Sequence, residues 1–201
     1  MMVKICGITN REDAQAAAEG GASAVGFNFY PESPRYIAPA IAAEIISSLP
    51  PGICKVGVFV NQPAERVTAV ARECCLDVVQ LHGDEGPAEY PADIRVWKAV
   101  RVGESFDWRE WRDCPAEAIL LDGPAGALYG GSGHAFEWSL ASGALRRIIL
   151  AGGLGPDNVR EAIAAVHPWG VDACSRLEIS PGRKDHEKMS RFLKAALAEL
   201  S

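Results

Sequence analysis

In this 201-residue sequence, chemically useful side chains gather at the ends of short apolar runs. Cys6 follows Val3-Lys4-Ile5, and Asn28 follows Ala24 to Phe27. Asn61 follows Lys55 to Val60, and Gln80 and His82 close the run that starts at Asp77. Lys98 lies near the end of Ile94 to Val100, and Asp122 follows Ala118 to Leu121. Gly152-Gly153 follow Ile148 to Ala151, and Asp172 to Ser175 end the run that starts at Gly170. A thiol, amides, an imidazole, an ammonium and carboxylates brought to one mouth suit an enzyme, without naming its reaction. A plain surface rim would more often carry Lys and Glu. Gly152-Gly153 and Ser175-Arg176 add a more specific chemistry. Paired glycines let backbone N–H groups approach an anion, Ser175 offers a hydroxyl and Arg176 a charge. This is the expected phosphate site.

Eight apolar runs of this length, rich in Val, Ile and Leu, read as strands buried on both faces, hence a parallel sheet. Helical stretches alternate with them. Asn10 is a plausible N-cap for one that closes at Gly20-Gly21, and Pro39 to Ser48 and Pro63 to Cys74 give two more. The stretches after Gly86 and around Trp108 are weaker. Phe136 to Ser142, Pro156 to Val166 and Asp185 to Leu200 complete about eight. An open doubly wound sheet and a closed barrel both accommodate βα repeats, and eight units favour the α/β (β/α)8 TIM barrel. The first strand-to-helix turn, Cys6-Gly7-Ile8-Thr9-Asn10, lacks the glycine pattern of a dinucleotide fold. No linker or low-complexity tract divides the chain, so residues 1–201 are expected to form one domain. In a barrel the C-terminal strand ends build the site, with phosphate between the loops after strands seven and eight.

Composition narrows the partners. Hydrophobic residues are 48 % and charged residues 23 %, as in a globular protein. The net charge of −6 disfavours nucleic acid and anionic membrane. No apolar run reaches the roughly 20 residues of a membrane helix, and the N-terminus does not read as a signal peptide. A cytoplasmic location is expected. The six cysteines form no C-x-x-C pair, so a metal site is not expected, and most should be free, buried thiols.

Seven ordered motifs then carry a family resemblance: Lys4-Ile5-Cys6-Gly7-Ile8-Thr9, Ser33-Pro34-Arg35, Gln80-Leu81-His82-Gly83, Leu120-Leu121-Asp122, Gly131-Ser132-Gly133 with Phe136 and Trp138, Ala151-Gly152-Gly153-Leu154 with Pro156, Asn158 and Val159, and Pro181-Gly182 with Lys184-Asp185. Over residues 2 to about 193 the chain resembles the N-(5′-phosphoribosyl)anthranilate isomerases of tryptophan biosynthesis. The resemblance implies a cofactor-free barrel, monomeric or homodimeric, acting on a small phosphosugar by an Amadori rearrangement. The ribosyl ring opens to an imine, and loss of the C2′ proton gives an enolamine that becomes the aminodeoxyribulose. Such chemistry needs one acid and one base.

By the same resemblance Cys6 is the general base and Asp122 the general acid. Nearby cations bring a thiol towards neutrality. A carboxylic acid donates a proton at neutral pH where burial favours its neutral form, and Asp122 ends an apolar run. Arg35 matches the ligand of the anthranilate carboxylate, and a guanidinium suits that bidentate contact. Gln80, His82 and Asp172 match positions lining the substrate site. Gly152, Gly153, Ser175 and Arg176 match the phosphate site. The glycine-rich segment 126–133 resembles a mobile loop after strand six. After Asp172 the family usually has a small residue, then Ser-Ser-Gly. Here Cys174 replaces the first Ser, and Arg176 replaces Gly. Arg176 is expected to keep its N–H on the phosphate with its guanidinium within reach, or else to turn outwards. Alternatives are the related Amadori isomerase of histidine biosynthesis, whose aspartate stands in place of the Cys6 thiol, a dual-substrate relative, and a non-catalytic phosphosugar-binding barrel.

Overall fold

The computed structural model describes residues 1–103, 106–123, 138–141, 144 and 146–198. Eight strands close in sequence order into a parallel barrel. They are β1 (Met2–Ile5), β2 (Ala24–Asn28), β3 (Cys54–Phe59), β4 (Val78–Leu81), β5 (Arg95–Arg101), β6 (Ala118–Asp122), β7 (Ile148–Leu150) and β8 (Gly170–Ala173). The ring closes between β1 and β8, with Lys4 opposite Asp172 and Ile5 opposite Ala173.

Helices α1 (Arg11–Glu19), α2 (Pro39–Ser47), α3 (Ala64–Glu73), α4 (Val159–Val166) and α5 (His186–Leu197) cover the outside. Local chemistry sets their starts. Asn10 Oδ1 accepts the Asp13 N–H at 2.8 Å, as its N-cap role requires. Pro39 opens α2, where its missing N–H costs nothing. Asp185 accepts the N–H groups of Glu187 and Lys188 to cap α5.

The expectation of about eight helices needs correction. Among the described residues, the stretches after Gly86, around Trp108 and before Ser142 form only 3₁₀ turns, over Pro87–Glu89, Trp108–Trp111 and Trp138–Ala141. Gly83, Gly86, Pro87 and Pro91 break the first of these into pieces too short to propagate a helix. A short antiparallel hairpin, β9 (Glu178–Ser180) with β10 (Arg183–Lys184), was not anticipated. Gly182, at φ +79°, makes its turn. The cysteine expectation is also corrected in part. All six thiols are free, but only Cys74 and Cys114 are buried.

Side chains alternate between two apolar layers, as a strand's two-residue period demands. Ala24, Val56, Val78, Trp97, Leu120 and Ile149 fill the barrel interior. Val3, Ile5, Phe27, Leu81 and Leu121 point the other way, packing with α5 residues such as Phe192 into the layer beneath the helices. Interior parity continued to the strand ends reaches Cys6, Asn28, Gln80, His82, Asp122 and Cys174. Lys98 has the opposite parity. Its ammonium is buried against Glu85 Oε2 at 2.9 Å and the Gly83 carbonyl at 2.7 Å, outside the barrel mouth where it was expected. Asn61 likewise leaves the mouth. At φ 49° the chain turns there, and its N–H donates to Glu85 Oε1. No helix among the described residues is long and apolar enough to cross a membrane.

Candidate active site

One cleft at the C-terminal ends of the strands takes in Cys6, Arg35, Gln80, His82, Asp122 and Asp172, together with Gly152, Gly153, Cys174 and Ser175. Nine of the ten residues expected in the site therefore share it. Arg176 is the exception. The loop motif at 126–133 lies outside the described residues.

On the β1/β8 side, Lys4 lies fully buried, with Nζ 3.0 Å from Asp172 Oδ1. Lys4 points into the interior two residues before Cys6, so parity stacks the ammonium beneath the thiol. Gly26 makes room for both. A Cβ there would sit 2.9 Å from Cys6 Sγ and 3.1 Å from Lys4 Nζ. Cys174 adds a second thiol to this side. Lys184, carried in by the hairpin, places Nζ 3.7 Å from Cys174 Sγ and 3.0 Å from Glu178 Oε1.

These contacts set the protonation states. The Cys174 thiol, in hydrogen-bonding contact with Cys6, holds the Cys6 thiol well below its ordinary value against the opposing cost of burial, and the Lys4 and Lys184 charges push the same way as Cys174. Cys174 moves the other way, because a second thiolate beside the first is unfavourable. Burial pushes Asp172 up to about 7 in spite of Lys4, and the negative charges of Cys6 and Asp122 add to the push. Burial opposes the charge on Lys4, but attraction to Asp172 and Cys6 more than offsets it, so Lys4 stays a cation. One ammonium thus serves two acids.

Across the cleft, Asp122 has different neighbours. Its Oδ1 accepts the Gly123 N–H at 2.9 Å, and Oδ2 lies 3.2 Å from His82 Nε2, near but without the alignment of a full hydrogen bond. The Gln80 amide nitrogen contacts His82 Nδ1 at 3.0 Å, which turns the Nε2 edge of the ring towards Asp122. Gly152, at φ +71°, closes over the same carboxyl. A Cβ on it would meet Gly123 N at 2.3 Å and Asp122 Oδ1 at 2.8 Å.

Arg35 reaches the cleft from the loop after β2. Its Nε and Nη2 make a fork on Glu178, at 2.9 and 2.8 Å. That grip uses one edge of the guanidinium and leaves the Nη1 edge for a second planar partner. Gly7, at φ +74°, permits the approach, since a Cβ there would lie 2.9 Å from Arg35 Cδ and 2.8 Å from Cys174 Sγ.

Gly153, at φ +67°, and Ser175 line the anion side. Arg176 turns away from the cleft. Its Nη1 donates to the Gly153 carbonyl at 3.0 Å and Nη2 lies 3.9 Å from Asp157. Asn158 Nδ2 holds the same carbonyl at 3.0 Å. The guanidinium contact expected for an anion is thus spent on bracing the glycine loop.

Sequence reasoning set Cys174 among the strand-end residues of the mouth without giving it a role, and passed over Lys4, Glu178 and Lys184 as site residues. Lys4 was visible as a charged residue inside an otherwise apolar run. Glu178 and Lys184 gave no such signal, because an unanticipated hairpin brings them in.

The family model described as N-(5′-phosphoribosyl)anthranilate (PRA) isomerase matches residues 3–195. The N-(5′-phosphoribosyl)anthranilate isomerase of Solibacter usitatus is 56 % identical over 200 residues, covering 100 % of this chain and 99 % of that one. Phosphoribosyl anthranilate isomerase from Thermus thermophilus superposes with a TM-score of 0.89 at 41 % identity, covering 100 % of both chains. A phosphoribosyl anthranilate isomerase crystallised with reduced 1-(o-carboxyphenylamino)-1-deoxyribulose 5-phosphate gives 0.86 at 43 % identity, covering 98 % of this chain and 99 % of that one. A barrel in register with these relatives, carrying a low-pKa thiol and an aspartate at its mouth, belongs to the N-(5′-phosphoribosyl)anthranilate isomerase family.

Proposed function

We propose that this cleft isomerises N-(5-phosphoribosyl)anthranilate to 1-(2-carboxyphenylamino)-1-deoxyribulose 5-phosphate in tryptophan biosynthesis, with Cys6 as general base and Asp122 as general acid. The observation that carries the assignment is the electrostatic contrast across one cleft. A thiol lowered by the Cys174 hydrogen bond and by nearby cations faces a carboxyl beside an imidazole and bonded to a backbone N–H.

The first step opens the furanose. Asp122 gives its proton to the ring oxygen as the C1′–O bond breaks, and nitrogen's lone pair forms the iminium. The carboxylate left behind is met by the Gly123 N–H already bonded to Oδ1, with the His82 ring 3.2 Å from Oδ2 to support the charge that develops. The iminium makes the C2′ proton acidic. Cys6, as thiolate, removes it to give the enolamine, which tautomerises to the ketone. Lys4 neutralises the thiolate before the step, and Asp172 takes over as its partner once Cys6 is protonated.

Binding divides similarly. The anthranilate carboxylate takes the open Nη1 edge of Arg35, whose other edge Glu178 fixes. The phosphate takes the backbone N–H groups of Gly152, Gly153 and Ser175 with the Ser175 hydroxyl, while Arg176 holds Gly153 in place through its carbonyl.

Anthranilate-type fluorescence decay with freshly made phosphoribosylanthranilate and the purified chain tests the reading. Turnover is expected without added metal or cofactor. Absence of decay with this substrate, alongside turnover of the corresponding aminoimidazole substrate, would replace it with the histidine-pathway reaction.

A further inference from the structure

The proposed base has a second thiol for a neighbour. Cys6 and Cys174 each lie one residue beyond a directly paired position, Ile5 opposite Ala173, on adjacent parallel strands. The ladder runs up to them, since the Cys6 N–H donates to the Ala173 carbonyl at 2.9 Å. Adjacent strands run about 4.8 Å apart, within the roughly 4.4–6.8 Å between Cα atoms that a disulfide spans. Interior parity turns both side chains into the same cleft, each acting on the other's protonation. Neither is sealed from solvent, and both are free.

We infer that Cys6 and Cys174 form a redox-reactive dithiol, which a hydroperoxide converts to a disulfide bridging β1 and β8, thereby switching the isomerase off reversibly. The disulfide rests on the thiol geometry alone, and the loss of activity rests on Cys6 being the base.

The chemistry balances in two steps. The Cys6 thiolate sulfur attacks one oxygen of hydrogen peroxide, the O–O bond breaks, and the departing hydroxide takes a proton from solvent. Cys6 is now a sulfenic acid. The Cys174 sulfur then attacks the Cys6 sulfur, the S–O bond breaks, and the leaving hydroxide takes the Cys174 proton. Two thiols and one peroxide give one disulfide and two waters. A reactive low-pKa cysteine beside a resolving cysteine suits this sequence. The cations are in place for both steps, Lys4 beside Cys6 and Lys184 with Nζ 3.7 Å from Cys174 Sγ. Cys54 and Cys74 lack this activation, since burial pushes both thiols up.

The test exposes the reduced full-length chain to a modest excess of hydrogen peroxide at neutral pH. Intact mass, peptide mapping and isomerase activity are followed, before and after dithiothreitol, for wild type and Cys174→Ser, each against its own untreated sample. Wild type should lose two hydrogens in mass and yield a linked Cys6–Cys174 peptide. Activity should fall on the order of 10²-fold in step with that peptide, and return with dithiothreitol. Cys174→Ser should instead gain oxygen at Cys6 and recover incompletely, because nothing intercepts the sulfenic acid. Oxygen accumulating on wild-type Cys6 without the linked peptide, or Cys6 linked to another cysteine, would overturn the inference. So would full recovery of Cys174→Ser. A linked peptide with undiminished activity would uphold the dithiol and remove Cys6 from the mechanism.

Discussion

The two sides of the cleft solve opposite problems. On the β1/β8 side, Lys4 and Lys184 surround Cys6, Cys174 and Asp172, and Arg35 closes that side against Glu178. On the β4/β6 side, Asp122 meets the His82 ring and the Gly123 N–H, and Gln80 presents an amide. Cations favour a group that must lose its proton before it acts. Hydrogen-bond donors beside a carboxyl support the negative charge that develops there when it gives up a proton. On the proposed mechanism, one cleft would run base chemistry at Cys6 and acid chemistry at Asp122 by what stands behind each group. Lys98 makes the point from outside. It lies on β5, between β4 and β6, and opposite parity sends its charge away to Glu85.

The largest effect expected is loss of either proton carrier. Cys6→Ser and Asp122→Asn should each lower kcat by about 10²- to 10⁴-fold with the fold intact, since each removes one general catalyst. The comparison predicts that they differ in pH behaviour. Asp122→Asn should keep the acid limb that reports the thiol, and Cys6→Ser should lose it. Steady-state rates across pH decide this, and a Cys6→Ser rate within tenfold of wild type would remove Cys6 as base.

Arg35 separates binding from proton transfer. Arg35→Met should raise KM roughly ten- to a hundredfold, as loss of a charge-assisted contact does, and change kcat less. The side chain also closes the base side by gripping Glu178. A matching fall in kcat would show that this grip, rather than the substrate carboxylate, is its main contribution.

Much of this was legible in the sequence, for reasons that differ by residue. Eight apolar runs bounded by turn residues announced the strands, and the residues at the ends of most runs do reach the mouth. Strand-end position alone could not say which face a residue takes. Cys6 follows β1 and Lys98 lies within β5, both along apolar runs, yet opposite parity puts one in the cleft and the other under a helix-side loop. Glu178 and Lys184 enter through a hairpin that has no strong strand signature, Ile179 being 75 % exposed. The contact between Cys6 and Cys174 spans nearly the whole sequence and exists only because the barrel closes.

Lys4 tests the charge contrast directly. Lys4→Met removes the buried cation beneath Cys6, so the thiol should lose its proton less readily and the acid limb of kcat/KM should move to higher pH. The same change alters stability with a defined sign. Asp172 is raised from its ordinary 3.8 to about 7 in the folded chain. A carboxyl raised by folding favours the fold at low pH, and that contribution is lost as pH climbs from near 4 through 7. Without Lys4 the carboxyl should rise further, so the variant should lose more stability than wild type from pH 6 to 8, measured as Tm against pH. An acid limb that does not move would mean that Lys184 and Cys174 alone set the Cys6 thiol.

The smallest effect expected is at Arg176, which holds neither the acid nor the base. Its guanidinium bonds to the Gly153 carbonyl and faces Asp157 rather than the cleft. Arg176→Gly therefore deletes a brace on the glycine loop and leaves the anion's own donors in place. A single hydrogen bond contributes about 0.5–1.5 kcal/mol, so KM should rise roughly two- to tenfold with kcat unchanged. Asn158 still holds the same carbonyl, which favours the lower end of that range. Salt discriminates between bracing and charge. A guanidinium acting on the phosphate gives kcat/KM a salt dependence that Arg176→Gly would flatten, whereas a brace between guanidinium and carbonyl leaves that dependence as it was. Equal salt slopes with a raised KM would identify Arg176 as loop support, and a flattened slope would return it to the phosphate.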